Sequence, residues 1–264
     1  MPTLLWRGIN TSAVKFKRIF MSQHQHYRHL ALIAAMALFM QSLDATILNT
    51  ALPAISASLN ESPLEMQMTI ISYSLTVALF IPLTGWMADK YGTLNVFRAA
   101  VGVFVLGSVA CAMANSLNAL IWSRILQGVG GALMMPVARL TIIRNVPKTQ
   151  LVAAWNAMAM AGLIGPVLGP IVGGWLVTHA TWHWIFLINI PIGVLGIVFA
   201  GRYMPNSTGK IKKLDWIGFI LFAGGLAGVT LGLDLLSEER ANSGLTAVML
   251  SAGFISFLLY YYYA

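Results

Sequence analysis

Charge is what this sequence has least of. Only 9% of its 264 residues are Asp, Glu, Lys or Arg, where a soluble domain carries about a quarter. A chain so poor in charge cannot cover a water-facing surface, so a soluble globular fold is excluded. Cysteine is nearly absent: Cys111 stands alone in an apolar run. That excludes a disulfide within the chain and a cysteine-built metal centre. Acids number 8 against 16 bases, with no carboxylate pair spaced for acid–base work and no nucleophile beside a base, so an enzyme is not expected. His24, His26 and His29 cluster near the start, and His179 and His183 lie four apart. The first group reads as a solvated terminal segment and the second as an interfacial loop, so no metal site is expected.

What fills the chain instead is apolar. Hydrophobic residues make up 58% and mean hydropathy is +0.77. A spanning helix needs about 20 mostly apolar residues. Eight stretches qualify, near 30–52, 66–88, 95–115, 118–138, 152–178, 184–204, 214–236 and 245–263. The longest links are "LPAISASLNESPLE" and "MPNSTGKIKKLD". Continuous apolar runs predict helices, because a barrel alternates apolar and polar residues. The expected fold is therefore an all-α membrane protein.

The few charges are sorted by side. With the N-terminus in the cytoplasm, all but two of the 16 basic residues fall inside, while Arg240 and the acids Glu61, Glu65, Glu238 and Glu239 fall outside. Basic residues favour cytoplasmic loops, so both ends are expected to be cytoplasmic. Topology thus accounts for the excess of +8, and no nucleic-acid partner is expected. The lipid bilayer is the implied partner. Residues 1–29 read as a cytoplasmic segment, of which 1–20 precede an alternative start at Met21.

Two ionisable residues sit in the wrong place. Asp44 lies in "FMQSLDATILNTALP" and Arg124 in "LNALIWSRILQGVGG". At 1.5 Å per residue, Asp44 lies roughly 21 Å from the inner boundary and Arg124 roughly 9 Å from the outer one. In a core of about 30 Å these are similar depths, so the two meet if the first and fourth spans are neighbours. Charges inside a membrane are costly and mark function or pairing. Asp44 and Arg124 are the candidates for proton coupling or substrate reading; a helix-locking ion pair is the plainer alternative. Asp234, near the end of the seventh span, is a weaker candidate. Gln127, Asn49 and Asn189 are suited to hydrogen bonds between helices.

The stretch "GLIGPVLGPIVGGW" from Gly162 to Trp175 would be a loop in a soluble protein. Gly165, Gly169 and Gly173 recur every four residues, as do Pro166 and Pro170. That spacing keeps each set on one helix face. A small-residue face lets another backbone approach, and neighbouring helices tolerate the prolines. A bent, close-packed helix is expected.

Several of these stretches together resemble the major facilitator superfamily. "LDATILNTALPAI" is similar to the first-helix motif of its drug:proton antiporters. "GWMADKYGTLNVF" resembles the loop 2–3 signature, carried here by Gly85, Asp89, Lys90 and Gly92. "RILQGVGGA" resembles the fourth-helix motif, with Arg124, Gln127 and Gly128. "GPVLGPIVGGW" resembles the fifth-helix antiporter motif, matched by Gly165, Gly169, Pro170, Gly173 and Gly174. "WHWIFLINIPIG" and "LDWIGF" are similar to the branch with fourteen helices, the EmrB/QacA type.

This resemblance implies a six-helix bundle over 30–204, made of two inverted three-helix repeats, a cytoplasmic linker at 205–213 and two additional helices in 214–264. It further implies a bacterial inner-membrane exporter of hydrophobic or cationic small molecules. Such an exporter would be driven by the proton gradient without a cofactor and would work by alternating access. A second, C-terminal bundle is the implied partner. It lies beyond "FLLYYYYA", so the sequence is expected to be part of a longer protein or a truncated form. A metabolite-specific transporter, a half-size subunit and a non-transporting scaffold are the other readings. One departure stands out: Thr93, Leu94 and Asn95 follow Gly92, where the signature usually carries basic residues.

Overall fold

The computed structural model describes residues 3–210, 213–237 and 243–263, with side chains from Tyr27 onward except Ser237 and Ser243. Every regular element among them is helical: α1 (Thr3–Leu59), α2 (Gln67–Phe80), α3 (Leu83–Tyr91), α4 (Thr93–Ala112), α5 (Leu117–Asn145), α6 (Lys148–His179), α7 (Trp184–Leu187), α8 (Asn189–Tyr203), α9 (Trp216–Ser237) and α10 (Ser243–Tyr263). Seven helical stretches are long and apolar enough to cross a membrane, with α7 and α8 together forming one of them. Counted as one span, the bent pair α2–α3 brings the number among the described residues to eight. His24 and His26 fall outside the described side chains, while the His29 ring stacks on Tyr203 with centroids 4.2 Å apart.

Three expectations are corrected. The first span does not stop near residue 52, because α1 runs through Pro53 to Leu59. The chain turns at Asn60, whose φ is +54°, and Ser62 and Glu65 then cap each other's backbone N–H groups at 3.2 Å. This reciprocal box is a helix-start device written in the sequence. The second span is not a single straight helix. It bends by 58° between α2 and α3, where Pro82 supplies no N–H to continue the ladder. The loop 2–3 signature is mostly not a loop either: Gly85, Asp89 and Lys90 lie on α3, and only Gly92 turns, at φ +86° and ψ +147°.

Close backbone approach organises the packing. In α6, Gly165, Gly169 and Gly173 face inward and Pro166 and Pro170 face outward. A Cβ built at Gly165 would lie 2.0 Å from Ser42 Oγ, and one at Gly169 would lie 2.1 Å from Thr46 Oγ1. Gly173 is less tight, a Cβ there lying 3.0 Å from Ile47 Cγ1 and 3.3 Å from Thr50 Cβ. The stripe therefore presses α6 onto α1, the most extensive helix pair in the molecule together with α4–α5 and α9–α10. Small-residue seams of this kind hold membrane helices where lipid offers no hydrophobic drive. Helices α9 and α10 pack chiefly on each other and reach the rest of the molecule through α2.

Candidate functional site: a buried acid–base network

Asp44 on α1 and Arg124 on α5 meet in the interior, and both side chains are 1% exposed. Arg124 Nη1 donates to Asp44 Oδ2 at 2.7 Å. The same nitrogen reaches Gln127 Oε1 at 2.5 Å, and Nε donates to the Thr69 carbonyl of α2 at 3.3 Å. The Tyr73 ring lies beneath the guanidinium, 4.1 Å from its carbon. Arginine remains cationic at any working pH, so the site holds a permanent positive charge.

The other carboxylate oxygen is equally occupied. Asp44 Oδ1 accepts from Gln127 Nε2 at 2.7 Å and from Asn189 Nδ2, at the start of α8, at 3.0 Å. Ser108 Oγ on α4 accepts from the same two amides, at 2.9 and 3.3 Å, and donates to the Phe104 carbonyl at 3.0 Å. Five helices thus share one network, and each direct contact of the carboxylate comes from an N–H donor on α5 or α8. Burying two charges costs several kcal/mol each unless attraction and hydrogen bonds offset it. Here Asp44 receives three N–H donors, and Arg124 receives the Gln127 oxygen, the Thr69 carbonyl and the Tyr73 ring.

Glycines admit this geometry. A Cβ at Gly128 would lie 2.8 Å from Thr76 Cβ and 3.0 Å from the Tyr73 carbonyl, so the close approach of α2 that places Tyr73 and Thr69 against Arg124 needs a glycine there. The structure brings Asp44, Arg124, Gln127 and Asn189 together. Ser108 and Tyr73 join them without having been singled out, because a serine or tyrosine in an apolar helix carries no local signal. Asn49 is exposed and stands outside the network. Asp234 lies in the last turn of α9.

A second polar cluster surrounds the signature motif at the basic end. Asp89 pairs with Arg144 at the end of α5, and Lys90 lies over the rings of Trp86 and Tyr91. The positions after Gly92 are bound by the segment that follows α8. Asn206 Oδ1 accepts from Leu94 N at 3.1 Å, capping α4 from another part of the chain. Thr93 N donates to the Ser207 carbonyl and Ser207 N donates to Thr93 Oγ1, both at 3.1 Å. Arg144 reaches the Ser207 carbonyl at 3.4 Å, and Gly209 N reaches the Asp89 carbonyl at 3.3 Å. Thr93 and Leu94, where basic residues were expected, thus serve as docking points for residues 205–209.

Gly85 and Gly174 have open space where a Cβ would stand. Pro170 is exposed on the outer face of α6. His179 Nδ1 lies 3.1 Å from the Trp175 carbonyl and His183 Nδ1 lies 3.3 Å from Thr181 Oγ1. Among the described residues no three His, Cys, Asp or Glu side chains group to hold a metal.

A multi-span helical bundle with a sealed acid–base pair at its centre defines a polytopic membrane protein of the transporter class. The chain belongs to the Major Facilitator Superfamily, whose sequence pattern matches residues 34–264. It is 67% identical over 238 residues to "Probable transport protein HsrA" of Haemophilus influenzae, covering 90% of this chain and 51% of that protein. It is 49% identical over 232 residues to "Putative multidrug resistance protein MdtD" of Salmonella dublin, covering 88% and 49%. The chain therefore spans about half the length of the curated relatives it matches. Among solved structures, the POT family transporter PepTSo superposes with a TM-score of 0.65 at 14% identity, covering 89% of this chain and 52% of that one. A D-xylose-proton symporter gives 0.61 at 12% identity, covering 88% and 66%. At such identities the likeness speaks for the fold alone.

Proposed function

We propose that this chain is the N-terminal part of a proton-coupled multidrug efflux antiporter working by alternating access. It would sit in a bacterial inner membrane with both ends of the described region in the cytoplasm. The observation that carries the reading is the sealed Asp44–Arg124 pair. A carboxylate held by a fixed cation and two amides is an exchange site: a proton or a cationic substrate competes with Arg124 for the same oxygens. The relatives' names, one of them a multidrug resistance protein, support hydrophobic or cationic small molecules as cargo. The C-terminal bundle would supply the second half of the rocking pair. The inner-face motif of Gly85, Asp89, Lys90 and Gly92 would gate that side, and the α6 seam of Gly165, Gly169 and Gly173 would keep it tight. The energy source is the proton gradient, and no cofactor or enzymatic step enters.

The test is transport by the full-length protein in proteoliposomes under an imposed proton gradient. Asp44→Asn and Arg124→Met are expected to abolish gradient-driven uptake of a cationic dye into inverted vesicles while the proteins still insert. Uptake at the wild-type rate in both variants would overturn the coupling role. Movement of a neutral metabolite in place of the dye would point to a metabolite-specific transporter.

A further inference from the structure

Every group that contacts the Asp44 carboxylate is an N–H donor: Arg124 Nη1 at 2.7 Å, Gln127 Nε2 at 2.7 Å and Asn189 Nδ2 at 3.0 Å. That arrangement suits the anion. A protonated Asp44 would turn an O–H toward donors and needs an acceptor, since a buried donor left unpaired costs about 1–3 kcal/mol. Three neighbours carry an acceptor oxygen. Gln127 Oε1 is held by Arg124 at 2.5 Å, and rotating that amide would set its N–H group against the guanidinium. Ser108 Oγ already accepts from Gln127 and Asn189 and donates to the Phe104 carbonyl. Asn189 Oδ1 is different: it is fully buried and has no hydrogen-bond partner.

We propose that Asn189 reads the protonation state of Asp44, turning its amide so that the orphaned carbonyl replaces the N–H group when the carboxylate takes up a proton. The two ends of an amide have nearly the same size and shape, so the exchange needs no repacking. It gives up the long contact to Ser108, pairs the new O–H with the orphaned oxygen, and moves the NH2 group to the place that oxygen left. The proton enters from solution onto Asp44 Oδ1 and leaves the same way, and no other bond changes. Asn189 is the first residue of α8 and adjoins the short α7. Its rotation would therefore carry the charge state of α1 to the junction of the last span of the bundle.

The other titratable groups facing Asp44 are Arg124 from α5, Tyr73 from α2 and Cys111 from α4. Helix α6 has only Lys148 and His179, at its two ends, α7 has none, and α8 has Arg202 and Tyr203 at its far end. On α1 the nearest described ones, Tyr27 to His29, lie about 22 Å along the axis. The Tyr73 hydroxyl is also buried without a hydrogen-bond partner, and it lies against Gly131 and Gln41.

The inference rests on the proton-coupling reading, and one experiment separates the two. Infrared difference spectra are recorded between neutral and acid pH on the full-length protein in lipid, with the asparagine side-chain carbonyl labelled with ¹³C. The Asp44 acid band is assigned by its absence from Asp44→Asn, and the Asn189 carbonyl band by its absence from Asn189→Leu or, if that chain misfolds, Asn189→Ser. Acidification is expected to move the Asn189 band to lower wavenumber as it gains a donor, and Asp44→Asn is expected to show it there at both pH values. An Asp44 acid band that appears while the Asn189 band stays in place overturns the inference and leaves proton uptake standing. No Asp44 band at any pH overturns both.

Discussion

The ion pair can be weighed against its own parts with a double-mutant cycle. In Arg124→Met, Asp44 keeps only the two amide donors at 2.7 and 3.0 Å and loses its counter-charge. In Asp44→Asn the guanidinium keeps Gln127 Oε1, the Thr69 carbonyl and the Tyr73 ring but has no anion. Either change leaves one uncompensated buried charge, which costs about 3–5 kcal/mol. The double variant leaves no charge at all, and an apolar replacement of a buried pair is often neutral. It is expected to be more stable than either single variant, with a coupling energy of about 3 kcal/mol or more. Cys111, the one cysteine of the sequence and 0% exposed, makes a built-in reporter: a thiol-reactive fluorogenic dye labels it as the bundle opens. At about 2–4 °C per kcal/mol, each single variant should melt about 6–20 °C below the wild type. The double variant should recover most of that loss. Losses that add to within about 0.5 kcal/mol would show that the two side chains act independently, and the account of the site would be wrong.

Two further outcomes follow from the packing and from the turn after α3. Gly169→Leu places a side chain where even a Cβ is 2.1 Å from Thr46 Oγ1; it should cost about 1–3 kcal/mol or more. Pro170→Leu on the exposed face should leave melting within about 0.5 kcal/mol, and equal effects of the two would refute the inward glycine stripe. Gly92→Ala meets both a glycine-only backbone region at φ +86° and ψ +147° and the Asn206 side chain, 2.1 Å from its Cβ. A loss of about 1–3 kcal/mol is expected from the backbone. Asn206→Ala, which removes a helix cap, should lose about 1 kcal/mol, and proteolysis within 205–209 should speed up in both.

Much of this was legible in the sequence because the membrane restricts the choices. Apolar length marked the spans, since backbone groups in lipid must be satisfied within a helix. The helical rise placed Asp44 and Arg124 at one depth. Four-residue spacing separated the glycine face of α6 from its proline face. What stayed hidden depends on distant segments. The break at Pro82 and the passage through Pro53 carry the same local signal, a proline in an apolar run, and opposite outcomes. Residues 205–209 read as a polar link, yet Asn206 and Ser207 are bound to Thr93 and Leu94 more than a hundred positions earlier.

By itself the sequence determined the class, the approximate number of spans and the common depth of two charges, because each of these follows from composition or from the rise of one helix. Only the tertiary structure decided that Gln127, Asn189 and Ser108 close around the same carboxylate, and that one amide oxygen there is left without a donor. Those facts depend on how five helices cross at a point, and no single helix's pattern encodes a crossing.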